Sequence, residues 1–409
     1  TLTGGTHQLT VNQRPLNATL ARQYDGTTAS AGSTLSSFDA LQGGETLTMT
    51  GSGTAASANV ANGIAMSSNG NLALADGTGA ASNYSLNSTV INISKRVLNS
   101  SGSKLYDANT NALAGAITLS NLVSGEALNH SGTASTSSAN VGSYTISNLT
   151  GITIANGSGG AASNYTLTGG THNFAINQRP LNATLARQYD GTTASAGSTL
   201  SSFDALQGGE TLTLSGSGTA ASANVANGIS VSSLGTLSLV NGTGLASNYS
   251  LNSASLNITQ RVLNSSGSKT YNANTNALAA DITLSNLVSG EALNHSGTAT
   301  IGSPNAASYT ISNLSGITIA DGSGGTASNY TLTGGTHNFI VNRRPVSVSG
   351  TRLYDATTNA VASDLSTHAN LVGTQTLTLS GTGTIASKDV GSNKTVSVGT
   401  LALADGSNG

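Results

Sequence analysis

The feature that most constrains this chain is its internal repetition. The segment at 14–50 returns at 179–215 with two substitutions. A weaker copy begins at Arg96 and returns at Arg261, and a blended copy begins at Arg344. The copies therefore begin 82 or 83 residues apart, and two types alternate within a super-repeat of 165 residues. Repetition at a constant period predicts an array of similar modules before any local motif is considered.

The period also defines the domains that we expect. Residues 1–13 match the closing strand of a preceding repeat. The expected repeats are 14–95 (repeat 1, type A), 96–178 (repeat 2, type B), 179–260 (repeat 3, type A), 261–343 (repeat 4, type B) and 344–409 (repeat 5, incomplete). A unit of this length is large enough to bury a modest core of its own. We therefore expect about five small modules, each folded around its own core.

Short segments within each repeat alternate between apolar and polar residues, as at Leu16, Ala18 and Leu20. This period of two predicts half-buried β-strands, and no window sustains a helical period. Turn residues such as Asp25-Gly26 and Gly43-Gly44 separate the segments. Many short strands with frequent turns predict an all-β, Ig-like β-sandwich. A parallel β-solenoid is the alternative, but it requires a shorter repeat inside each unit, which we do not find.

The repeats join without a linker. The closing strand of repeat 2 runs through Gln178 directly into the first strand of repeat 3. Proline at such a join fixes φ and withholds a backbone donor. We expect a linear row of modules. Five modules with strands of about ten residues, each rising about 3.3 Å, would be roughly 170 Å long. The predicted junction residues are Arg14, Pro15, Arg96, Arg179, Pro180, Arg261, Arg344 and Pro345.

A tyrosine followed by Asp or Asn is the most regular polar signal. The pairs are Tyr24 and Asp25, Tyr106 and Asp107, Tyr189 and Asp190, Tyr271 and Asn272, and Tyr354 and Asp355. A repeated ligand site is one interpretation, and an aromatic anchor followed by an Asx turn is the other. Asn272 favours the turn, because an amide can replace a carboxylate in a turn but not in acid chemistry. We expect the cation two residues before each tyrosine, such as Arg22, to lie exposed beside the turn carboxylate.

Two further groups of polar residues could hold a metal. Gly-rich loops resemble calcium loops, but their key position alternates between Asp and Asn, which favours turns without metal: Asp76, Asn156, Asn241 and Asp321. The recurring histidines are expected at the surface or rim: His7, His130, His172, His295 and His337. No Ser/His/Asp set or paired carboxylates occur. We expect no catalytic, cofactor-binding or metal-binding residues and no enzyme activity.

Composition limits the partners of the chain. Charged residues make up 7% of it and its net charge is −2, so no basic surface for nucleic acid is expected. There is no cysteine, which excludes disulfides and thiolate metal sites. No apolar stretch is long enough to span a bilayer. Self-association or a surface polysaccharide is the kind of partner that we expect.

The units resemble the YDG-type repeats of filamentous-haemagglutinin-like exoproteins, which are large bacterial adhesins secreted through a partner outer-membrane pore. The resemblance rests on the Tyr-Asp-Gly-Thr-Thr segment at 24–28, the run at 381–398 and the block that ends in Ser-Asn-Tyr at Tyr84. It is less close where Tyr-Asp-Gly becomes Tyr-Asp-Ala or Tyr-Asn-Ala. The resemblance implies an extracellular or cell-surface stalk that presents a distant adhesive region in attachment or in a biofilm matrix.

Two other functions stay open at this point. One is a multivalent carbohydrate-binding array, whose avidity would grow with the number of modules. The other is a self-assembling filament. In that hypothesis the closing strand at 1–13 of one molecule completes the incomplete repeat 5 of the next by β-strand addition. A window cut from a longer continuous chain is the simpler explanation of the same two ends.

Overall fold

The computed structural model describes residues 2–146, 149–311 and 313–407. Those residues form an all-β chain of tandem modules built from small sheets, and none of them lies in an α-helix. Three-residue 3-10 helices are the only helical elements in these ranges. The predicted β-sandwich class is confirmed, and the sheets are not the coils of a solenoid. No helix in the described part of the chain is long and apolar enough to cross a membrane.

Repeat 1 contains one five-stranded sheet and a separate two-stranded ribbon. Its elements are β1 (Arg14–Gln23), β2 (Thr34–Phe38), β3 (Leu47–Thr50), β4 (Thr54–Ala55), β5 (Ala61–Ser68), β6 (Ala73–Asp76), the 3-10 helix η1 (Ala81–Asn83) and β7 (Tyr84–Ser94). The sheet order is β2-β1-β7-β5-β4, and β3 pairs with β6. Strands β1 and β7 are parallel, with Leu20 opposite Ile91. Burial alternates along β1 as the sequence predicts.

Repeat 2 is a sandwich of two larger sheets. Its elements are β8 (Arg96–Val97), β9 (Asn99–Leu105), β10 (Asn111–Leu113), η2 (Ala114–Ala116), β11 (Ile117–Ser120), β12 (Leu128–Ser135), β13 (Gly142–Thr145), β14 (Ile152–Asn156), η3 (Ala162–Asn164), β15 (Tyr165–Thr166) and β16 (His172–Asn177). One sheet has the order β11-β9-β16-β13 and the other β10-β12-β14, while β8 pairs with β15. Phe174 and Ile152, from opposite sheets, share one buried cluster.

Repeats 3 and 4 reproduce these two patterns. Repeat 3 contains β17 (Arg179–Gln188), β18 (Thr199–Phe203), β19 (Leu212–Ser215), β20 (Thr219–Ala220), β21 (Ala226–Ser233), β22 (Ser238–Asn241), η4 (Ala246–Asn248) and β23 (Tyr249–Thr259). Repeat 4 contains β24 (Arg261–Val262), β25 (Asn264–Thr270), β26 (Asn276–Leu278), η5 (Ala279–Asp281), β27 (Ile282–Ser285), β28 (Leu293–Thr300), β29 (Ser308–Thr310), β30 (Ile317–Asp321), η6 (Ala327–Asn329), β31 (Tyr330–Thr331) and β32 (His337–Asn342). The two patterns therefore alternate with the two sequence types.

Repeat 5 has the smallest sheets. Its elements are β33 (Ser347–Ser349), β34 (Asn359–Val361), η7 (Ala362–Asp364), β35 (Thr367–Ala369), β36 (Leu377–Ser380), β37 (Thr382–Ile385), β38 (Val396–Ser397) and β39 (Ala402–Asp405). Strand β33 pairs with β35. Its counterpart β25 in repeat 4 pairs in addition with the parallel strand β32.

The chain divides into two compact units. The first comprises 1–182, 203–215 and 238–252, and the second comprises 183–202, 216–237 and 253–409. The first unit thus contains repeats 1 and 2 with the part of repeat 3 that packs on repeat 2. The second contains the remainder of repeat 3 with repeats 4 and 5. The units do not coincide with the sequence repeats, because packing crosses the repeat boundaries.

The hydrophobic clusters show how this happens. In the first unit, Leu20 and Tyr24 of repeat 1 share one buried cluster with Leu98 and Tyr165 of repeat 2. A second cluster of that unit joins the core of repeat 2 to three residues of repeat 3, which are Leu181, Leu212 and Tyr249. The expectation that each repeat buries only its own core is therefore wrong. The end of one repeat and the start of the next contribute apolar side chains to the same core.

Candidate functional site

The first repeat boundary is closed by a glutamate that lies between two tyrosines. Glu126 of repeat 2 accepts one hydrogen bond from the hydroxyl of Tyr24 in repeat 1 (2.6 Å) and one from the hydroxyl of Tyr165 in repeat 2 (2.7 Å). The two hydroxyls donate to different carboxylate oxygens, Oε1 and Oε2. The two rings meet edge to face, with centroids 5.4 Å apart. We call this group the tyrosine clamp.

The clamp recurs at the next two boundaries. Its members there are Tyr106, Glu210 and Tyr249, and then Tyr189, Glu291 and Tyr330. The hydroxyl-to-carboxylate distances are 2.5 Å for both bonds of the second clamp and 2.7 and 2.6 Å for the third. Such short O–H···O⁻ bonds are charge-assisted, and they are about twice as strong as neutral ones. Each of these three carboxylates therefore accepts two strong bonds, one of which crosses the boundary.

The clamp tyrosines are buried, and this keeps them protonated. Burial and then the hydrogen bond to Glu126 raise the pKa of Tyr165 to about 12. The same two causes, with the glutamate of the respective clamp, raise the pKa of the phenols at Tyr106, Tyr249 and Tyr330 to about 12. The phenols therefore remain hydrogen-bond donors well above neutral pH.

A tight turn positions the first tyrosine of each clamp. After Tyr24, Asp25 Oδ1 accepts a hydrogen bond from the backbone N–H of Thr27 (2.9 Å). The same Asx turn follows the other tyrosines, with these acceptors: Asp107, Asp190, Asn272 and Asp355. The amide of Asn272 thus makes the turn that the carboxylates make. The aspartates organise the backbone, and the tyrosines reach across the boundary.

The cations before these tyrosines lie inside the turn rather than exposed. Arg22 pairs with Asp25 at 2.5 Å, and only 5% of its side chain is accessible. The expectation of an exposed cation is wrong because the guanidinium also donates to the carbonyls of Thr27 and Ala29, and these bonds hold it against the turn. Lys269 has no carboxylate in its turn and donates to carbonyl oxygens instead. Burial lowers the pKa of Lys269.

Four of the five junction arginines donate hydrogen bonds to the preceding repeat. Arg179 donates through Nε to the carbonyl of Tyr106 in the preceding repeat (2.6 Å). Three others reach the same carbonyl of their own preceding tyrosine at 3.4 to 3.5 Å: Arg96, Arg261 and Arg344. Arg14 donates to Ala40 within repeat 1. Each predicted proline directly follows one of these arginines: Pro15 lies in β1, Pro180 in β17, and Pro345 just before β33.

The asparagine of the Ser-Asn-Tyr motif completes the boundary in repeats 2, 3 and 4. Asn164 is buried, accepts a hydrogen bond from the backbone N–H of Val60 and donates to the side chain of Asn59, each at 3.0 Å. Asn248 and Asn329 bind the preceding repeat in the same way. The motif therefore delivers both an asparagine and the second clamp tyrosine to the boundary.

In the loops that resemble calcium sites, an Asp or Asn side chain holds the start of the 3-10 helix that leads into the Ser-Asn-Tyr tyrosine. Asp76 Oδ1 accepts a hydrogen bond from the backbone N–H of Ala81, where a 3-10 helix begins (2.7 Å). Asn156, Asn241 and Asp321 make the equivalent bond. An amide oxygen accepts this bond as well as a carboxylate does, which explains the alternation. Within 2–146, 149–311 and 313–407, no three His, Asp or Glu side chains are grouped so as to hold a metal ion.

Two of the recurring histidines are buried, so the surface expectation is wrong for them. His172 Nδ1 lies 2.9 Å from Ser100 Oγ, and its Nε2 lies 2.8 Å from the carbonyl of Leu167. Because a carbonyl only accepts, Nε2 carries a proton in this arrangement. His337 makes the same contacts with Ser265 and Leu332. Both ring nitrogens of His172 and of His337 thus make hydrogen bonds within the repeat.

Sequence reasoning missed the clamp glutamates. Glu126, Glu210 and Glu291, like Glu45 of repeat 1, occur in the loops Leu-Gln-Gly-Gly-Glu and Leu-Val-Ser-Gly-Glu, which return in every complete repeat. The available signal was their regular position in a chain with few charged residues. Nothing in a single sequence, however, shows that one carboxylate meets tyrosines from two repeats.

Comparison with known families gives five matches to one family, the YDG domain. The matches cover 7–91, 94–172, 177–258, 255–337 and 342–409. Nearly the whole chain is therefore made of tandem copies of this domain. The comparison with curated proteins found no significant match.

Proposed function

The chain belongs to the YDG domain family, and from its clamped boundaries we propose that it is a stiff structural segment. In this proposal the repeats form a stalk or fibre of a large bacterial surface adhesin of the filamentous-haemagglutinin-like kind, and they carry no catalytic activity. The location would be extracellular, and the role would be to extend an adhesive region for attachment or within a biofilm matrix. The observation that carries the proposal is the tyrosine clamp, which appears at three successive boundaries.

The clamp opposes bending at a boundary. To tilt one repeat against the next, the hydroxyl of Tyr24 would have to leave Glu126, and the cluster shared by the two repeats would have to open. A hydrogen bond to a charged group contributes about 1.5–3 kcal/mol, and opening the cluster would expose apolar area as well. A flexible linker would have neither the hydrogen bond nor the shared apolar cluster to oppose bending. A row of such boundaries suits a spacer.

Composition supports the same role. The chain has few charged residues and many small polar ones, so its exposed strands offer no strong electrostatic footprint for nucleic acid. The fold needs no disulfide, since the sequence has no cysteine. Such a segment folds without help from the redox state of its compartment.

Small-angle X-ray scattering tests the stiffness. The chain is expected to reach a maximum dimension of roughly 170 Å. This length assumes five modules in a row, each with strands of about ten residues that rise about 3.3 Å per residue. The variant Glu126→Ala should broaden the distance distribution, because it leaves two phenols without an acceptor. Glu45→Ala is the matched control, since Glu45 holds only Tyr84 of its own repeat. A compact particle, or equal profiles for the two variants, would refute the proposal.

A glycan array separates the spacer from a carbohydrate-binding array. The spacer predicts no saturable binding by the full chain. Reproducible binding of one glycan class would favour the array, because a chain of five binding modules gains avidity from their number.

A further inference from the structure

The residue after each Tyr-Asp or Tyr-Asn pair is not chosen by the backbone alone. It has a positive φ in all five repeats: Gly26 (79°), Ala108 (62°), Gly191 (79°), Ala273 (63°) and Ala356 (67°). Alanine is therefore accepted in this left-handed conformation, although it is less favourable there than glycine. Type A repeats nevertheless use glycine, and type B repeats use alanine. Another contact must distinguish them.

That contact comes from the next repeat. A Cβ placed on Gly26 would lie 2.8 Å from Val123 Cγ1, and one placed on Gly191 would lie 2.9 Å from Val288 Cγ1. Valine is branched at Cβ and has few rotamers, so it cannot easily turn away. Val123 and Val288 belong to type B loops, three residues before the clamp glutamate. Glycine in the type A turn is what leaves room for them.

The reverse boundary has the opposite arrangement. Ala108 of type B repeat 2 faces the loop of type A repeat 3, where Gln207 occupies the position of Val123. Gln207 directs its side-chain amide to the carbonyl of Ala205 (3.0 Å). A Cβ placed on Gly208 would lie 3.5 Å from the Ala108 Cβ, which is ordinary van der Waals distance. The alanine is thus accommodated without strain from the loop.

We propose that these contacts select the type of the following repeat. A type A turn with glycine accepts the valine loop of type B, and a type B turn with alanine accepts the Gln-Gly loop of type A. Type B followed by type B would bring an alanine Cβ against a valine methyl. Type A followed by type A would leave the space of the valine empty. The alternation of type A and type B repeats would then follow from the side chains that meet at each boundary.

Such selection has a use in a chain of near-identical repeats. Neighbouring domains with similar sequences misassemble and exchange segments during folding. A boundary that favours the other type makes the immediate neighbour the better partner and disfavours the nearest copy of the same type. Specificity of this kind requires an unfavourable wrong pairing as well as a favourable right one.

The fourth boundary carries the pairing that the rule disfavours. Ala273 of repeat 4 precedes a loop with Val372 at the position of Val123. A cavity of about 320 Å³ is lined there by Tyr271, Val372 and Gln375, among others. The blended repeat 5 therefore meets repeat 4 across an open contact. The proposal expects this boundary to be the least protected of the four.

The test uses the full chain and hydrogen exchange measured peptide by peptide. Gly26→Ala should speed exchange about tenfold at residues 24–28 and 121–127, as a steric cost near 1.4 kcal/mol implies. Gly32→Ala is the control for backbone strain, because Gly32 has a φ of 76° and nothing within 4 Å of an added Cβ. Adding Val123→Ala to Gly26→Ala should restore most of the protection.

Equal effects of Gly26→Ala and Gly32→Ala would overturn the proposal. So would failure of Val123→Ala to rescue. The third boundary, with Gly191 and Val288, serves as the unaltered reference in each sample. A second comparison does not depend on a destabilised variant: Ala273→Gly should protect the fourth boundary more than Ala108→Gly protects the second, since only the loop after Ala273 carries a valine at this position. Equal gains would contradict the role of the valine.

Discussion

The first and fourth repeat boundaries use equivalent positions with different side chains. At the first, the carboxylate of Glu126 accepts hydrogen bonds from Tyr24 and Tyr165. At the fourth, Gln375 takes the glutamate position and donates from Nε2 to the hydroxyl of Tyr271 (2.6 Å). Repeat 5 contributes no second tyrosine to this group among its described residues. The same group thus has three members at the first boundary and two at the fourth.

The difference shows why the complete clamp contains a carboxylate. Two phenols that donate to one side chain need two acceptors, and an ionised glutamate offers an oxygen to each. A glutamine has one acceptor oxygen and one donor group, so only one of two phenols could donate a hydrogen bond to it. The fourth boundary consequently depends on a neutral bond, and the first on two charge-assisted ones. Four experiments measure how much stability this distinction contributes.

Alkaline pH should give the largest effect, because it acts on all three clamps together. The pKa of Tyr106, Tyr165, Tyr249 and Tyr330 is raised in the folded state to about 12 from the ordinary tyrosine value of 10.0. The folded state therefore holds these protons more tightly than the unfolded state does. Their contribution is complete below pH 10 and is lost as pH rises towards 12. Circular dichroism and tyrosinate absorbance, followed together against pH, should change in one transition.

Titration of these tyrosines near pH 10 with an unchanged β-sheet signal would contradict this expectation. The variant Tyr165→Phe supplies a control. It removes one shifted group, so its alkaline transition should release fewer protons.

Tyr24→Ala should be the most damaging single substitution of the comparison. Tyr24 is 5% exposed and fills the first boundary, whereas Tyr354 of the same motif is 59% exposed. Truncation of a buried aromatic costs about 3–5 kcal/mol, and an exposed one costs roughly 0.5 kcal/mol or less. Chemical denaturation of Tyr24→Ala and Tyr354→Ala gives the two free energies of unfolding. Similar losses would mean that the tyrosine acts inside its own repeat and not across the boundary.

Glu126→Gln converts the first boundary to the chemistry of the fourth. The amide can serve one phenol as acceptor and the other as donor, but the charge is lost. We expect a cost of about 1.5–3 kcal/mol, the range for hydrogen bonds to charged groups. Thermal unfolding of this variant is compared with that of Glu45→Gln, where Glu45 holds only Tyr84. A larger loss in the Glu45 variant would argue against a special role of the boundary.

Much of the fold could be predicted from the sequence, and the reasons are local. The alternation at Leu16, Ala18 and Leu20 indicated a strand, and all three are buried in β1. The turn at Asp25 was readable because an Asx turn needs only neighbours two residues apart. The constant period revealed the modules. Each of these signals lies within a few residues or in exact repetition.

The boundary could not be predicted in the same way, because its contacts join distant positions. Glu126 is 102 residues from Tyr24 and 39 from Tyr165, and no local pattern pairs them. The shared core could not be predicted for the same reason. Leu98 packs with residues of repeat 1, but its sequence is equally consistent with packing in the core of its own repeat. His172 was placed at the surface because a lone histidine shows no partner in sequence. Its partner, Ser100, is 72 residues away.

Gln375→Glu should have the smallest effect, and it tests the logic of the comparison most directly. The new carboxylate would reverse the bond, so that the hydroxyl of Tyr271 donates to it. Among the described residues its second oxygen would find no second phenol, and Gln375 lines a cavity that Arg344 also lines. Charge pairs at such exposed sites contribute about 0–1 kcal/mol. A double-mutant cycle with Tyr271→Phe measures the coupling at this boundary, and a cycle of Glu126→Gln with Tyr24→Phe measures it at the first. We expect the first coupling to be the larger. Equal values would show that the second tyrosine adds nothing, and the clamp would then reduce to a pair.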